Sequence, residues 1–242
     1  MKKQKIFIIF LLLSGLSYLS SCDEIFRNTI TGSGEVVSEI REVGSFDAIS
    51  ASAGMNVIVT FGDPSEEIEV VADDNLHEVI TTEVVAGTLK ITSRASIRRA
   101  ESKDVYVSSG RLESIEVSSA ANLRGNNAMK AGELDIEVSS AGDLFLEVEA
   151  DAIDIEVSSS GEATLSGSAD RLDLEVSSAG DLDAAELIVA YCDAEVSSAG
   201  DAYVNVTEEL NAEASSAGHI RYKGDPKRKN IDSSSAGSVS SR

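Results

Sequence analysis

Apolar and polar residues alternate with period two over short stretches of this chain, and one such stretch keeps returning. Leu134, Ile136 and Val138 recur as Ile153, Ile155 and Val157, as Leu172, Leu174 and Val176, and as Cys192, Ala194 and Val196. Asp135 and Glu137 lie between the first three, with Asp154 and Glu156, Asp173 and Glu175, and Asp193 and Glu195 in the later copies. Such alternation marks strands with one face in a core and the other in water. Every copy ends in a turn of small residues: Val-Ser-Ser-Ala-Gly at 138–142, 176–180 and 196–200, and Val-Ser-Ser-Ser-Gly at 157–161. Degenerate copies occupy 117–121, 214–218 and 233–237, so the last residues of the turns step by 21, 19, 19, 20, 18 and 19. A second alternation follows each turn, as in Leu144 and Leu146, Ala163 and Leu165, Leu182 and Ala184, and Ala202 and Val204. Ser50-Ala51-Ser52-Ala53-Gly54 is a related turn displaced upstream.

A helical solenoid is excluded, because helical repeats run above about 30 residues and lack period-two spacing. A flat meander reverses at each turn and has no reason to return the same residues to the same place. Identical turns at this short period predict a parallel β-helix over residues 111–242, one repeat per coil, with three short strands and three corners. Stacking one coil on the next at about 4.8 Å makes seven coils a rod roughly 30 Å long. In the repeated corner the Gly is expected to relieve positive φ, with Ala or Ser filling the crowded inside and Ser hydroxyls satisfying free backbone groups.

Residues 35–110 read differently. Met55–Thr60, Glu67–Val71 and Thr88–Thr92 are predicted strands of an N-terminal β-meander, with the first turn at Gly62-Asp63-Pro64. Asp74–Ile80 suggests one capped helical turn, and residues 94–103 a basic loop before strand Val105–Val107. This part is expected to cap the rod, since an uncovered solenoid end exposes apolar edges. Residues 22–34 read as a tether.

The start of the chain is an export signal. Met1–Lys5 is basic, Ile6–Leu13 is an apolar run too short to span a bilayer, and Leu19-Ser20-Ser21-Cys22 matches a bacterial lipoprotein box. Residues 1–21 are then removed and Cys22 is acylated, with outer-membrane lipid as its partner. Cys192 is left as the one further cysteine, so no disulfide forms within a mature chain. The formal charge is −22, from 42 acidic and 20 basic residues. Between Ala131 and Gly218 stand 22 acids and a single base, Arg171. That field repels nucleic acid, anionic lipid and uronic-acid glycans, and it draws in cations.

The order of elements carries a family resemblance. Val43-Gly44-Ser45-Phe46-Asp47-Ala48-Ile49 opens it, and a strand ending at Phe61-Gly62-Asp63 follows. Val71-Ala72-Asp73-Asp74-Asn75-Leu76, Gly87-Thr88-Leu89-Lys90-Ile91, the turn ladder and Tyr222-Lys223-Gly224-Asp225-Pro226 come next. This resembles the putative auto-transporter adhesin, head GIN domain family, over roughly residues 40–240. That family writes its corners Ser-Gly-Ser-Gly where this chain writes Ser-Ser-Ala-Gly. The resemblance implies a right-handed parallel β-helix on an envelope protein of the Bacteroidota and carries no functional residues with it. In that group, acids after the lipidated Cys, here Asp23-Glu24, imply surface display.

Three outward carboxylate columns follow from the repeat: Asp135, Asp154, Asp173 and Asp193; Glu116, Glu137, Glu156, Glu175, Glu195 and Glu213; and Asp143, Glu162, Asp181 and Asp201. The bland reading is a solvated face whose charge blocks edge-to-edge pairing. The sharper one is a weak Ca²⁺ stripe on Asp143, Glu162, Asp181 and Asp201, bridging coils without any other cofactor. Carboxylates on neighbouring coils also fall near the roughly 5–5.5 Å used by retaining glycosidases. An active site needs unlike environments for its acid and base, whereas every coil here repeats the same pair, without Trp and with two scattered His. His219 beside Arg221 and Lys223 reads as charge balance at the rod's end, and Cys192 as a core residue. The sequence therefore favours an envelope lipoprotein with an adhesive, binding or structural role and no catalysis, its partner a surface glycan or protein touched by Phe145 and Tyr203. The alternatives are a glycan-acting lyase or hydrolase and a cation-binding periplasmic spacer.

Overall fold

The computed structural model describes residues 29–242. The signal segment 1–21, the lipidation residue Cys22 and residues 23–28 of the tether lie outside the described residues. The N-terminal part holds β1 (Thr29–Thr31), β2 (Val36–Glu42), β3 (Ala48–Ala51), β4 (Asn56–Phe61), β5 (Glu67–Asp73), β6 (Ile80–Val85), β7 (Thr88–Ser93), β8 (Ser96–Arg99) and β9 (Lys103–Ser109). After it come β10 (Ser114–Val117), β11 (Asn122–Gly125), β12 (Met129–Val138), β13 (Asp143–Val157), β14 (Glu162–Val176) and β15 (Asp181–Val196). The last four are β16 (Asp201–Ala214), β17 (His219–Lys223), β18 (Arg228–Ser233) and β19 (Ser238–Ser241).

From β10 to β19 the strands pair in parallel, each coil lying on the one before. The chain is thus the all-β parallel solenoid that the repeat predicts. Its core is a set of columns in register: Leu134, Ile153, Leu172, Cys192 and Leu210 form one, and Ile136, Ile155, Leu174, Ala194 and Ala212 another. All ten are buried. Three corners per coil were expected, yet each coil has one tight turn, and β13, β14 and β15 run unbroken from one turn to the next. The other bends show as a change of burial parity, from Val148 to Ile153 and from Ala184 to Ala185. The ladder survives these bends because adjacent coils bend together. Where the step lengthens from 19 to 20 residues, the extra residue forms a bulge at the Ala184–Ala185 bend, and Ala185 N–H donates to Asp183 Oδ1 at 3.0 Å.

The repeated turn departs from the expectation in an instructive way. In each of the seven copies the second and third small residues, such as Ser178 and Ala179 or Ser198 and Ala199, hold left-handed φ of 49 to 66°. The residue that follows, Gly in six copies and Ala121 in the first, does not. With Gly180 N–H donating to the Ser177 carbonyl at 2.9 Å, this is a type I′ turn. The Gly answers a lack of space: a Cβ on Gly180 would stand 2.6 Å from the Val157 carbonyl oxygen of the coil below. Left-handed Ser and Ala cost roughly 1–2 kcal/mol each. Stacking offsets this, because Ala179 N–H donates to Ser198 O on the next coil and Ser177 N–H to Val157 O on the previous one. The bonds that close and stack the corners run backbone to backbone, not through Ser hydroxyls.

The N-terminal part is a mixed sheet. β3 and β4 lie parallel under β10 and β11, and β7 and β9 lie parallel under β3 and β4. The parallel ladder therefore begins well before residue 111, and its first coils are not stacked in chain order. Ala53 and Gly54 take the left-handed positions of the first corner, and Gly54 N–H donates to Ser119 O at 2.9 Å, so the upstream turn joins the same stack. The open edges of β7 and β9 are covered by antiparallel β6 and β5, and β2 pairs with β5. This supplies the expected cap.

Two local expectations change. The helical turn is a short 3-10 helix at Asp74–Leu76 with no side-chain cap, because Asp73 is used elsewhere. Its buried carboxylate accepts N–H bonds from Gly34 at 2.8 Å, Glu101 at 2.9 Å and Ser102 at 3.0 Å. These bonds hold its pKa below the ordinary carboxylate value against the opposing effect of burial. They also dock residues 29–34, which were read as tether: β1 pairs with β8, and Gly32 N–H donates to Arg99 O at 2.7 Å.

Candidate binding face

The outward sides of the coils carry different chemistry. On the side leading into each corner, the Asp and Glu columns stand in register as predicted. Burial first, then the neighbouring charges of Asp173 and Asp135, raise the Asp154 carboxyl above its ordinary pKa. The Asp column ends at Asn211, whose Nδ2 donates to Asp193 Oδ1 at 2.6 Å. The Glu column ends at Asp232, and Glu175, Glu195, Glu213 and Asp232 share a recess of about 130 Å³ against the Ser corners. A third column on this side is mixed: Glu133, Ala152, Arg171, Tyr191, Glu209 and Arg228 align, with the Arg171 guanidinium 5.8 Å from the centre of the Tyr191 ring.

The side leaving each corner is mixed. Asp143, Glu162, Asp181 and Asp201 align, with His219 after them and Asn122 and Asn56 before them. Burial, then Asp201 and Glu162, push the Asp181 carboxyl up, with Arg221 opposing. These four Ca²⁺ candidates form a line. Among the described residues no group of three or more His, Cys, Asp or Glu gathers in a way that could hold a metal. Asp201 instead meets Arg221 at 3.4 Å, and His219 Nδ1 lies 2.7 Å from Ser238 Oγ.

Beside that line runs a column the sequence did not reveal. Along the rod it reads Tyr106, Ile58, Arg124, Phe145, Thr164, Asp183, Tyr203 and Arg221. The sequence pointed to Phe145 and Tyr203 as outward aromatics. Tyr106 joins them because β9 stacks under β4, out of chain order. The Arg124 guanidinium lies over the Phe145 ring at 5.1 Å and that of Arg242 over Tyr203 at 5.5 Å. Next to Tyr203 a recess of about 180 Å³ opens between Asp181, Asp183, Asp201, Arg221 and Arg242. It combines an aromatic ring, carboxylate acceptors and guanidinium donors.

The C-terminal bases balance the acids of earlier coils: Lys223 meets Glu186 at 2.7 Å, Lys227 meets Glu208 at 2.7 Å, and Arg228 pairs with Glu209. Cys192 is buried in its core column. Burial first, then Asp193 and Asp173, push its thiol far above the ordinary range, which leaves it a packing residue.

Fold and faces together define a parallel β-solenoid with stacked small-residue corners and sheet faces open to solvent. Residues 45–226 match the family described as putative auto-transporter adhesin, head GIN domain. The chain belongs to that family. It is similar in structure to a putative adhesin of Bacteroides fragilis, with a TM-score of 0.80 and 23% identity over 88% of this chain and 100% of that one. A putative adhesin of Parabacteroides merdae gives 0.71 and 22%, over 89% and 99% of the two chains. A putative lipid binding protein of Parabacteroides distasonis gives 0.70 and 21%, over 88% and 99%. No curated protein matches the chain.

Proposed function

We propose that this protein is a lipid-anchored, non-catalytic adhesin of the bacterial envelope, held in the outer membrane through acylated Cys22 and displayed outward. The observation that carries the adhesive reading is the column of Tyr106, Arg124, Phe145 and Tyr203 on the side leaving the corners of a strongly acidic rod. These outward rings contribute nothing to the core, and aromatic side chains with Arg beside them are the composition enriched at contact surfaces. Anchoring rests on Leu19–Cys22, and outward display on Asp23-Glu24 after the lipidated residue.

Two features support a non-catalytic role. The Asp154 carboxyl is raised by burial and by like charges within its own column, not by a pocket that sets an acid apart from a base. The apolar columns are also buried inside the coils, so the titratable groups stand in rows on the outer faces.

The test is protease shaving of intact cells that express the parent chain or Cys22→Ala, with the membrane fraction probed in parallel. The expected outcome is loss of the parent chain to external protease and release of Cys22→Ala from the membrane. Full protection of both chains would rule out surface adhesion.

A further inference from the structure

We infer that the mixed face binds a neutral, linear glycan lying lengthwise along the rod, with Tyr106, Phe145 and Tyr203 as its stacking positions. This rests on the adhesive reading above and names the ligand class. The three aromatics share one outward column and stand three coils apart, from Tyr106 through Ile58 and Arg124 to Phe145, and from Phe145 through Thr164 and Asp183 to Tyr203. The coil spacing of about 4.8 Å is close to the length of one pyranose in an extended chain. A glycan aligned with the axis therefore keeps step with the coils and meets a ring at every third sugar.

Pyranose rings present C–H faces that stack on aromatics and hydroxyls that need donors and acceptors. The face supplies both. Tyr106 is 42% exposed. Phe145 and Tyr203 are half-buried, and the guanidinium groups of Arg124 and Arg242, 5.1 and 5.5 Å from the two ring centres, place N–H donors beside them. The adjoining carboxylates Asp143, Glu162, Asp181 and Asp201 accept hydroxyls at every coil and repel uronic acids and sulfated chains. The recess beside Tyr203 holds an aromatic ring with both signs of charge around it, the mixture that recognises a polyol. The three rings stand three coils apart with a row of carboxylates beside them, so they do not join into the single desolvated centre that a protein partner packs against.

The test uses the intact chain made soluble by Cys22→Ser, titrated with oligosaccharides of three and six residues from the neutral β-glucan and α-mannan series. Oligogalacturonate is the anionic control. Binding is read by calorimetry and by tyrosine fluorescence, since the chain has no Trp. Hexamers of at least one neutral series should bind at least tenfold more tightly than trimers, because only they span two rings, and oligogalacturonate should not bind. Phe145→Leu and Tyr203→Leu keep an apolar side chain but remove the flat ring, and each should weaken the hexamer about tenfold. Tyr191→Leu, at an exposed ring on another column, should leave binding unchanged. Absence of binding by both neutral series, equal binding of oligogalacturonate, or unchanged affinity in the Phe145→Leu/Tyr203→Leu double variant would overturn the inference. Cells that still adhere with that double variant would sink the glycan site and keep the adhesive reading. Protection in the shaving experiment would sink the adhesive reading whatever the oligosaccharides do.

Discussion

Gly180 tests whether the fourth corner position is set by backbone conformation or by space. A Cβ there would stand 2.6 Å from the Val157 carbonyl oxygen, 2.9 Å from the Val157 carbonyl carbon and 3.1 Å from the Ser177 oxygen. All are backbone atoms, and Val157 O already accepts the Ser177 N–H at 2.9 Å. Neither coil can withdraw without loosening its neighbours on both sides. Overpacking of this kind costs about 1–3 kcal/mol, and stretching the hydrogen bond adds roughly 1 kcal/mol. The restricted unfolded chain returns only about 0.4–1 kcal/mol. Gly180→Ala should therefore lose about 1–3.5 kcal/mol, a fall in melting temperature of roughly 2–14 °C for a chain of this size. Ala179→Gly is the control with the opposite expectation. It relieves a φ of 60°, worth roughly 1–2 kcal/mol, against about 0.4–1 kcal/mol of added freedom in the unfolded chain. It should be neutral or slightly stabilising. Guanidinium unfolding and thermal melts of the soluble Cys22→Ser chain, followed by far-ultraviolet circular dichroism, measure both. A Gly180→Ala chain within about 0.5 kcal/mol of its parent, or an Ala179→Gly chain that is the worse of the two, would show that crowding does not choose the glycine.

Two further outcomes follow from the carboxylates. Asp73→Ala strips the acceptor from three backbone N–H groups, each costing about 1–3 kcal/mol when left unmet; hydrogen exchange should show lost protection at Gly34, Glu101 and Ser102, and unchanged rates there would refute the clamp. Because the folded pKa of Asp73 is depressed, its contribution is full above its unfolded value of about 3.8 and fades as pH falls through the folded one. Asp154 has the opposite sign: its folded pKa is raised, so its ionisation destabilises at neutral pH and the penalty fades as pH falls through the folded value. Asp154→Asn should raise the melting temperature by a few degrees at neutral pH and low salt, and less at acid pH or in molar salt. A gain that ignores salt, or a loss, would count against column repulsion.

Much of the rod was legible in the sequence because a solenoid writes its register into its repeat. The step between Ser-Ser-Ala-Gly copies fixed which residues share a column, and the period-two alternation fixed which of them face the core. What the repeat could not show is anything that breaks chain order. β3 and β4 sit between β9 and β10 in the stack, so no reading of consecutive segments puts Tyr106 in line with Phe145. The clamp by Asp73 was hidden for a related reason: Asp-Asp-Asn before a helical turn suggests a cap, and its partners lie more than 25 residues away. The conformation of the corner was misread because a glycine in a turn usually marks left-handed backbone, while the crowding here comes from a neighbouring coil.

The corner geometry also bears on where a ligand can sit. Each corner spends its backbone groups on the turns above and below, and its exposed atoms are hydroxyls and methyls, which line a recess only together with the Glu column. The Asp and Glu columns repeat one chemistry, so nothing along them distinguishes one position from the next. The core requires only that alternate residues be apolar. On the side leaving the corner, the outward residues other than Asp183, which accepts the bulge N–H of Ala185, carry no such duty, and there the column changes from ring to base to hydroxyl to acid. The same freedom makes Phe145, Thr164 and Tyr203 the positions where binding should change while stability does not.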